Sequence, residues 1–506
     1  MFASIRSAVV VGVDGSQVSV EVHVGAGLPG MTIVGLPDAS CREARDRVRA
    51  AFIASKLTWP PQKVTVNLAP SSSRKVGTGL DLPIAVGILV ASGVVDASQV
   101  NRMGFVGELG LDGSVRAVPA IVPLVDAIRV AGGDEVVVPV ACAGDAELLE
   151  EVKVRAISTL SELVGALSNE EPWPDHDYRR VEAAPLDTAD LADLRGQPIM
   201  RRALEISAAG GHHLLMIGVP GAGKTMLAER LPGVLPDLSS SEAMEVSRIH
   251  SAAGRVLTGG LVRRPPFQAP HHSATLVSVI GGGSDAMRPG LVSLAHGGVL
   301  FLDELSEFSP SVLDALRQPI EEGAVRVSRA RFSAMLPARF LLVAAMNPCP
   351  CGEGGRPGAC SCSDAALLRY RRRLSGPLLD RFDLRVAVER PDAQELLTGA
   401  PGEPSAVVAE RVARVRSKSL ERGGVLNSRM SRVALDEYAP LSNDAQRLLG
   451  RAMEMGRLTA RGLDRIRRVA LTMADLEGVD PPLEPMQVAA ALSLRADISL
   501  HPGVAA

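Results

Sequence analysis

The eight residues Gly218-Val219-Pro220-Gly221-Ala222-Gly223-Lys224-Thr225 constrain this chain more than any other feature. They match G-x-x-x-x-G-K-[ST] at every fixed position, follow the apolar run 214–217 and open a helical stretch over 226–231. Such a sequence ends a buried strand in a glycine turn whose backbone N–H groups point inward at phosphate oxygens, and the next helix adds positive potential at its N-terminus. Lys224 is expected to reach the terminal phosphates of ATP, and the Thr225 hydroxyl to ligate Mg²⁺. A strand of this kind belongs to a parallel sheet buried on both faces. The short apolar runs 299–302, 340–345 and 384–388, separated by helical stretches, supply its neighbours.

The expected organisation is α/β throughout the first two regions. Residues 1–168 read as an α/β unit of their own, with strands at 18–24, 63–68 and 136–140 and a helix over 42–54 capped by Ser40. Residues 169–190 carry proline and acid without periodicity and read as a linker. The phosphate loop lies in a second α/β region, 191–390, with its parallel sheet. Residues 391–506 are mostly helical: Leu463, Ile466, Val469, Met473 and Leu476 recur on one face, and Asn443 caps a helix carrying Leu448, Leu449, Ala452 and Met455. Three such regions suit a chain of 506 residues.

Composition narrows the partners. At 46% hydrophobic and 22% charged, the chain is neither disordered, collagenous nor a disulfide scaffold. Aromatics are only 3%, too few to stack many bases, so any nucleic-acid contact would rest on phosphates. With 54 basic and 57 acidic residues the chain is no polycation for coating DNA or a membrane. The apolar stretch from Leu80 holds Asp81 and Pro83 and is too short for a membrane span, and the N-terminal run lacks a signal-peptidase site. The expectation is a cytoplasmic protein with no membrane partner.

Two acids follow the strand Gly298-Val299-Leu300-Phe301-Leu302. Asp303 there could hold Mg²⁺ through water, and Glu304 could activate the attacking water; the plainer reading is a pair capping the next helix. Asn347 ends the next strand and could orient that water, or simply form a turn before Pro348. Hydrolysis also needs positive charge on the developing phosphate oxygens. Arg381 and Arg461 are the candidates, with Arg465 one turn beyond Arg461, against the common fate of an arginine in a surface ion pair.

In order along the chain stand Gly196-Gln197, GVPGAGKT at 218, APHHSAT at 269, GGGSDAMRPG at 281, SLAHGGVLFLDEL at 293, AAMNPCPCG at 344 and SGPLLDRFDL at 375. This set resembles the ComM/YifB family of magnesium-chelatase-like AAA+ ATPases over nearly the whole chain. The resemblance implies a Lon-protease-like N-terminal domain, an AAA+ core and a helical lid. It also implies a hexameric helicase that drives branch migration of DNA during natural transformation. By the same resemblance Lys224 and Thr225 take the Walker A roles, Asp303 and Glu304 the Walker B roles, Asn347 is sensor 1, and Arg381 is the finger reaching a neighbour's site. Arg461 would be sensor 2, with Arg465 close enough to compete, and Gly196-Gln197 would lie near the adenine.

Four further features need separate readings. Val325 and Val327 alternate with Arg326 and Ser328, and Arg329 and Arg331 follow, so 324–336 reads as a β-hairpin. It could present its basic tip to DNA phosphates in a central pore, or it is a solvated charged hairpin. His271-His272 is read as a structural or pore-loop element, because neighbours on an extended segment point to opposite sides. Cys349, Cys351, Cys360 and Cys362 form two C-x-C pairs that could close a structural Zn²⁺ site, against a loop of free thiols. In the Lon-like domain the serine region reads Leu80-Asp81-Leu82-Pro83 and the lysine region Ala120-Ile121-Val122-Pro123, so neither half of a Ser–Lys pair is in place. Ser71, Ser72, Ser73 and Lys75 lie nearby in another frame, and the domain is expected not to be proteolytic. Two functions stay open: an ATP-driven motor on DNA, and a chelatase-type ATPase that remodels a protein partner or assists metal insertion.

Overall fold

The computed structural model describes residues 1–71, 75, 77–176, 189–257, 260–283, 287–329, 332–353, 360–390, 392–456 and 458–495, with backbone alone at 328, 329, 332, 333, 393 and 396. Its first unit is built on a seven-stranded mixed sheet. The strands Phe2–Val11 and Asp14–Gly25 form a long antiparallel hairpin, turned by Gly12 at φ 71°. Alternation on the second strand buries Val18, Val20, Val22 and Val24 on one face. The helix Asp81–Ala91 is buried on all sides against this hairpin. A Cβ at Gly87 would stand 2.5 Å from Val22 Cγ2, so only glycine lets the helix approach so closely.

Local detail departs from the sequence reading in three places. The helix Ala39–Ala54 is capped by Asp38, not Ser40, because Asp38 is the residue with extended backbone and its carboxylate accepts from Cys41 N at 2.7 Å. The helix Asn443–Glu454 is capped by Ser442, not Asn443, for the same reason. The strand Glu135–Pro139 stops one residue early, because Val140 already begins the helix Val140–Ala146. Of the linker 169–190, residues 177–188 lie outside the described residues.

The second unit carries five parallel strands in the order Phe267–Gln268, Val299–Leu302, Leu341–Met346, Leu214–Gly218, Leu384–Val388. The short edge strand Phe267–Gln268 had no apolar run to announce it. Parallel register places the C-terminal ends of the three middle strands along one edge of the sheet, where Gly218, Asp303 and Asn347 meet.

Among the described residues, the C-terminal helices Ser405–Gly423, Asn443–Glu454, Ala460–Glu477 and Pro485–Ser493 do not build a separate core. Ile466, Val469, Ala470 and Val412 share one apolar cluster with Leu204, Leu214 and Val386 of the second unit. The N-terminal unit is tied to the second through the helix Ile121–Val130, where Val122 N donates to Ser251 Oγ at 3.3 Å and Leu257 joins the apolar cluster of Ile121 and Val125.

Candidate functional site

The phosphate loop turns on Gly221 at φ 76° and Gly223 at φ 86°, conformations that a side chain would strain. Gly218 is needed for packing, since a Cβ there would lie 2.3 Å from the Val388 carbonyl oxygen. Lys224 opens the helix Lys224–Arg230, and its buried Nζ donates to the Gly218 carbonyl at 2.7 Å and the Val219 carbonyl at 2.9 Å. Burial pulls its pKa below the ordinary lysine value, while Asp303 and Glu304 work in the opposite sense. The Asn347 side-chain oxygen stands 3.4 Å from the same nitrogen.

Thr225 Oγ1 donates to Asp303 Oδ2 at 2.8 Å, so the hydroxyl and carboxylate expected to share a Mg²⁺ are already neighbours. Glu304 N donates to Asp303 Oδ1 at 2.9 Å, and Glu304 itself adopts a left-handed backbone at φ 50°. These residues fit Mg²⁺-ATP: the glycines form an open cradle, with no atom within 4 Å of a Gly221 Cβ, and hard oxygen ligands stand beside it. At the other side of the loop Gly196 (φ 67°) and Gln197 (φ 56°) make a left-handed turn into the helix Pro198–Gly210. Gln197 Nε2 donates to the Glu389 carbonyl at 2.5 Å and reaches the Ala222 carbonyl at 3.5 Å, which joins this turn to the phosphate loop.

The Glu304 carboxylate also has a partner that sequence reasoning missed. His272 Nδ1 lies 3.3 Å from Glu304 Oε2. The His271 and His272 rings stand 4.1 Å apart rather than on opposite sides, because the chain turns at Ser273, whose Oγ bonds His271 Nδ1 at 2.7 Å. The histidine pair was visible in the sequence; its closeness to Glu304 was not. A second missed residue is Tyr370, whose hydroxyl donates to the Asn347 carbonyl at 2.8 Å and accepts from Ser306 Oγ at 2.8 Å. Nothing in a basic helical segment marks that tyrosine.

The arginines divide. Arg465 Nη1 donates to Asp383 Oδ1 at 2.8 Å and to the Arg381 carbonyl at 2.9 Å, in a buried cluster with His212. Although burial pushes it up, His212 and Arg465 hold the Asp383 carboxyl far below the ordinary range. Arg461 is exposed in the first turn of the helix Ala460–Glu477. Arg381 pairs with Glu321 and donates to the Pro377 carbonyl, so a role in a neighbouring subunit's site requires it to leave those partners.

Ala324–Arg329 and Phe332–Pro337 pair antiparallel as the expected hairpin, with Arg329 opposite Phe332. Arg326 is exposed while Val325, Val327 and Leu336 bury the other face; Arg331 lies outside the described residues. The sulfurs of Cys349, Cys351, Cys360 and Cys362 all lie within 4.8 Å of one another, an arrangement that could hold a metal ion. Cys351 is pulled down to about 6 by the Glu353 backbone N–H, with Cys349 and the Ser361 N–H adding to it. In the N-terminal unit, Asp81 is buried and bound by Arg47 Nε at 2.6 Å and Nη2 at 2.9 Å. Lys75 is buried and donates to the Pro70 carbonyl; Ser72 and Ser73 lie outside the described residues. Among the described residues no helix is long and apolar enough to cross a membrane.

Parallel sheet, phosphate loop, paired acids and polar strand end together define a P-loop ATPase of the AAA+ class. Family models agree: residues 190–396 match magnesium chelatase, subunit ChlI; residues 20–142 match subunit ChlI of Mg-chelatase; and residues 402–495 match the ChlI C-terminal region. The competence protein ComM of Haemophilus influenzae is 41% identical over 504 residues, 98% of each chain. The uncharacterized protein YifB of Escherichia coli is 42% identical over 93% of this chain and 92% of its own. The Rhodobacter capsulatus magnesium-chelatase 38 kDa subunit is 28% identical over 39% of this chain and 55% of its own. The chain belongs to the ComM/YifB family of magnesium-chelatase-like AAA+ ATPases.

Proposed function

We propose that this chain is an ATP-driven motor on DNA, working in the cytoplasm as a ring of six that hydrolyses Mg²⁺-ATP and moves branched junctions. The observation that carries the ATPase part is the meeting of Lys224, Thr225, Asp303, Glu304 and Asn347 at one sheet edge. Lys224 holds the terminal phosphates, Thr225 and Asp303 hold Mg²⁺, Glu304 takes the proton of the attacking water, and Asn347 orients that water. Arg461 from the lid and Arg381 from a neighbouring subunit add positive charge, and Gly196-Gln197 borders the base. The four cysteines hold a structural Zn²⁺. DNA contact rests on the hairpin of Arg326, Arg329 and Arg331, whose charges suit phosphate oxygens. The competence protein ComM of Haemophilus influenzae, similar over 98% of its length, supports a role in competence, with which work on DNA is consistent.

Two assays test this reading. Lys224→Ala should lower ATP turnover by about a hundred-fold or more, and Glu304→Gln should leave ATP bound and uncleaved; undiminished hydrolysis in both removes the site assignment. A labelled three- or four-way junction should be moved by wild type in an ATP-dependent, salt-sensitive and sequence-independent manner. Replacing all three hairpin arginines with Ala should spare basal hydrolysis and strip DNA stimulation and junction movement together. The partial similarity to a magnesium-chelatase subunit favours a second reading, a remodelling ATPase for a protein partner or for metal insertion. That reading takes over if wild type neither moves a junction nor responds to DNA at any salt concentration.

A further inference from the structure

The cysteine cluster is built into the nucleotide site. The strand Leu341–Met346 is followed directly by Asn347, and Cys349 comes two residues later, buried. At the far end of the cluster, Cys362 is followed by Ser363, the N-cap of the helix Asp364–Arg372. That helix carries Tyr370, which returns to the Asn347 carbonyl and to Ser306, just beyond Glu304. The chain therefore leaves the site at Asn347, passes through the four thiols and comes back to the same peptide.

A second contact lies on the other side. Gly352, inside the cluster, has φ 84°, and a Cβ there would stand 2.8 Å from Pro220 Cδ of the phosphate loop. The Gly352 N–H bonds the Cys349 carbonyl at 3.0 Å, so this turn is held in register with the first cysteine. The cluster thus touches the phosphate loop directly and reaches the end of the Asn347 strand through two residues of chain.

Four sulfurs within 4.8 Å of one another are a crowded arrangement for thiols or thiolates alone. A soft divalent cation in tetrahedral sulfur coordination neutralises the thiolates and fixes both ends of the loop at once. We propose that the tetrathiolate is a zinc brace for the nucleotide site: metal loading fixes Asn347 and the phosphate loop against Lys224, so ATP turnover follows zinc occupancy although no thiolate touches the nucleotide. This rests on reading the four cysteines as a Zn²⁺ site. Tyr370 acts as a positioning residue that carries the constraint to Asn347.

The experiment uses the full chain under reducing conditions. Zinc is quantified, then stripped with a chelator that is removed by desalting before Mg²⁺ and ATP are added, and finally restored with ZnCl₂. ATP turnover, binding of a fluorescent ATP analogue and far-UV circular dichroism are followed at each stage. The expected result is about one zinc per chain. Stripping should lower kcat on the order of a hundred-fold, the scale of a small misplacement of reacting groups, while the circular dichroism is retained and zinc restores the rate. Tyr370→Phe should keep its zinc and still lose kcat with KM nearly unchanged. Zinc that binds and is removed with no change in kcat or analogue affinity overturns the brace and leaves the metal site standing. No zinc in wild type, or equal zinc after replacing all four cysteines with Ser, removes the metal reading and the brace with it. If the four-serine variant does not fold, stripping and reloading of wild type decides the question.

Discussion

Glu304 is held twice: its backbone sits at φ 50°, and its carboxylate lies 3.3 Å from His272 Nδ1. A carboxylate engaged by an imidazole offers one fewer free lone pair to the water that Glu304 is proposed to deprotonate. His272→Ala should therefore raise the DNA-independent ATPase rate several-fold and shrink the stimulation by junction DNA. Steady-state hydrolysis with and without junction checks this; a variant indistinguishable from wild type in both would leave His272 without a role at Glu304. Lys224 occupies its own loop carbonyls in the same pocket, so holding the phosphates as proposed would require its ammonium to exchange Gly218 and Val219 for phosphate oxygens.

Among the elements, the strand Leu214–Gly218 is anchored at its start by His213, whose Nδ1 accepts from Leu342 N at 3.0 Å on the neighbouring strand. Burial, with help from the nearby Arg465, Arg429 and His212 charges and against the pull of Asp383, lowers its pKa to about 4 from 6.5. Between those values the unfolded chain binds a proton at His213 and the folded chain does not. Stability contributed by the neutral imidazole is thus present above pH 6.5 and is lost as pH falls towards 4, by up to about 3 kcal/mol. Thermal melts across that window should show the loss, and His213→Asn, which keeps an acceptor for Leu342, should flatten the slope. The same logic of hidden partners governs the helix Asp81–Ala91, where Asp81 pairs with Arg47 inside the N-terminal unit.

For the whole molecule, the C-terminal helices share one apolar cluster with the unit that carries the phosphate loop, so the two are packed against each other. In the ring proposed above, the Arg381 of one subunit would act at the next subunit's phosphates. Mixing Arg381→Ala subunits into wild type should depress ATPase more steeply than dilution, because each variant subunit silences a neighbour; an arginine finger is worth about a thousand-fold or more in kcat. Loss in simple proportion, in rings shown to contain both subunits, would place Arg381 with Glu321 as a structural pair. The N-terminal unit should leave casein intact in the presence of ATP, since Asp81 is spent on Arg47 and Lys75 on the Pro70 carbonyl. Cleavage that depends on Ser72 or Lys75 would overturn that expectation.

The phosphate loop, the paired acids and the four clustered cysteines were legible because each depends on residue type at short spacing, and short spacing survives translation into structure. The parallel strands 214–217, 299–302, 340–345 and 384–388 were legible for a related reason, since burial on both faces leaves an unbroken apolar run. Caps were misread by one or two residues, at Asp38 for Ser40 and Ser442 for Asn443, because the cap is chosen by where the backbone turns extended and several polar residues stood in line. His272 on Glu304, Tyr370 on Asn347 and the commitment of Arg465 to Asp383 were decided by tertiary structure alone. Each joins residues 23 to 82 positions apart, and only the parallel register of the sheet and the packing of the lid bring them within a hydrogen bond of one another.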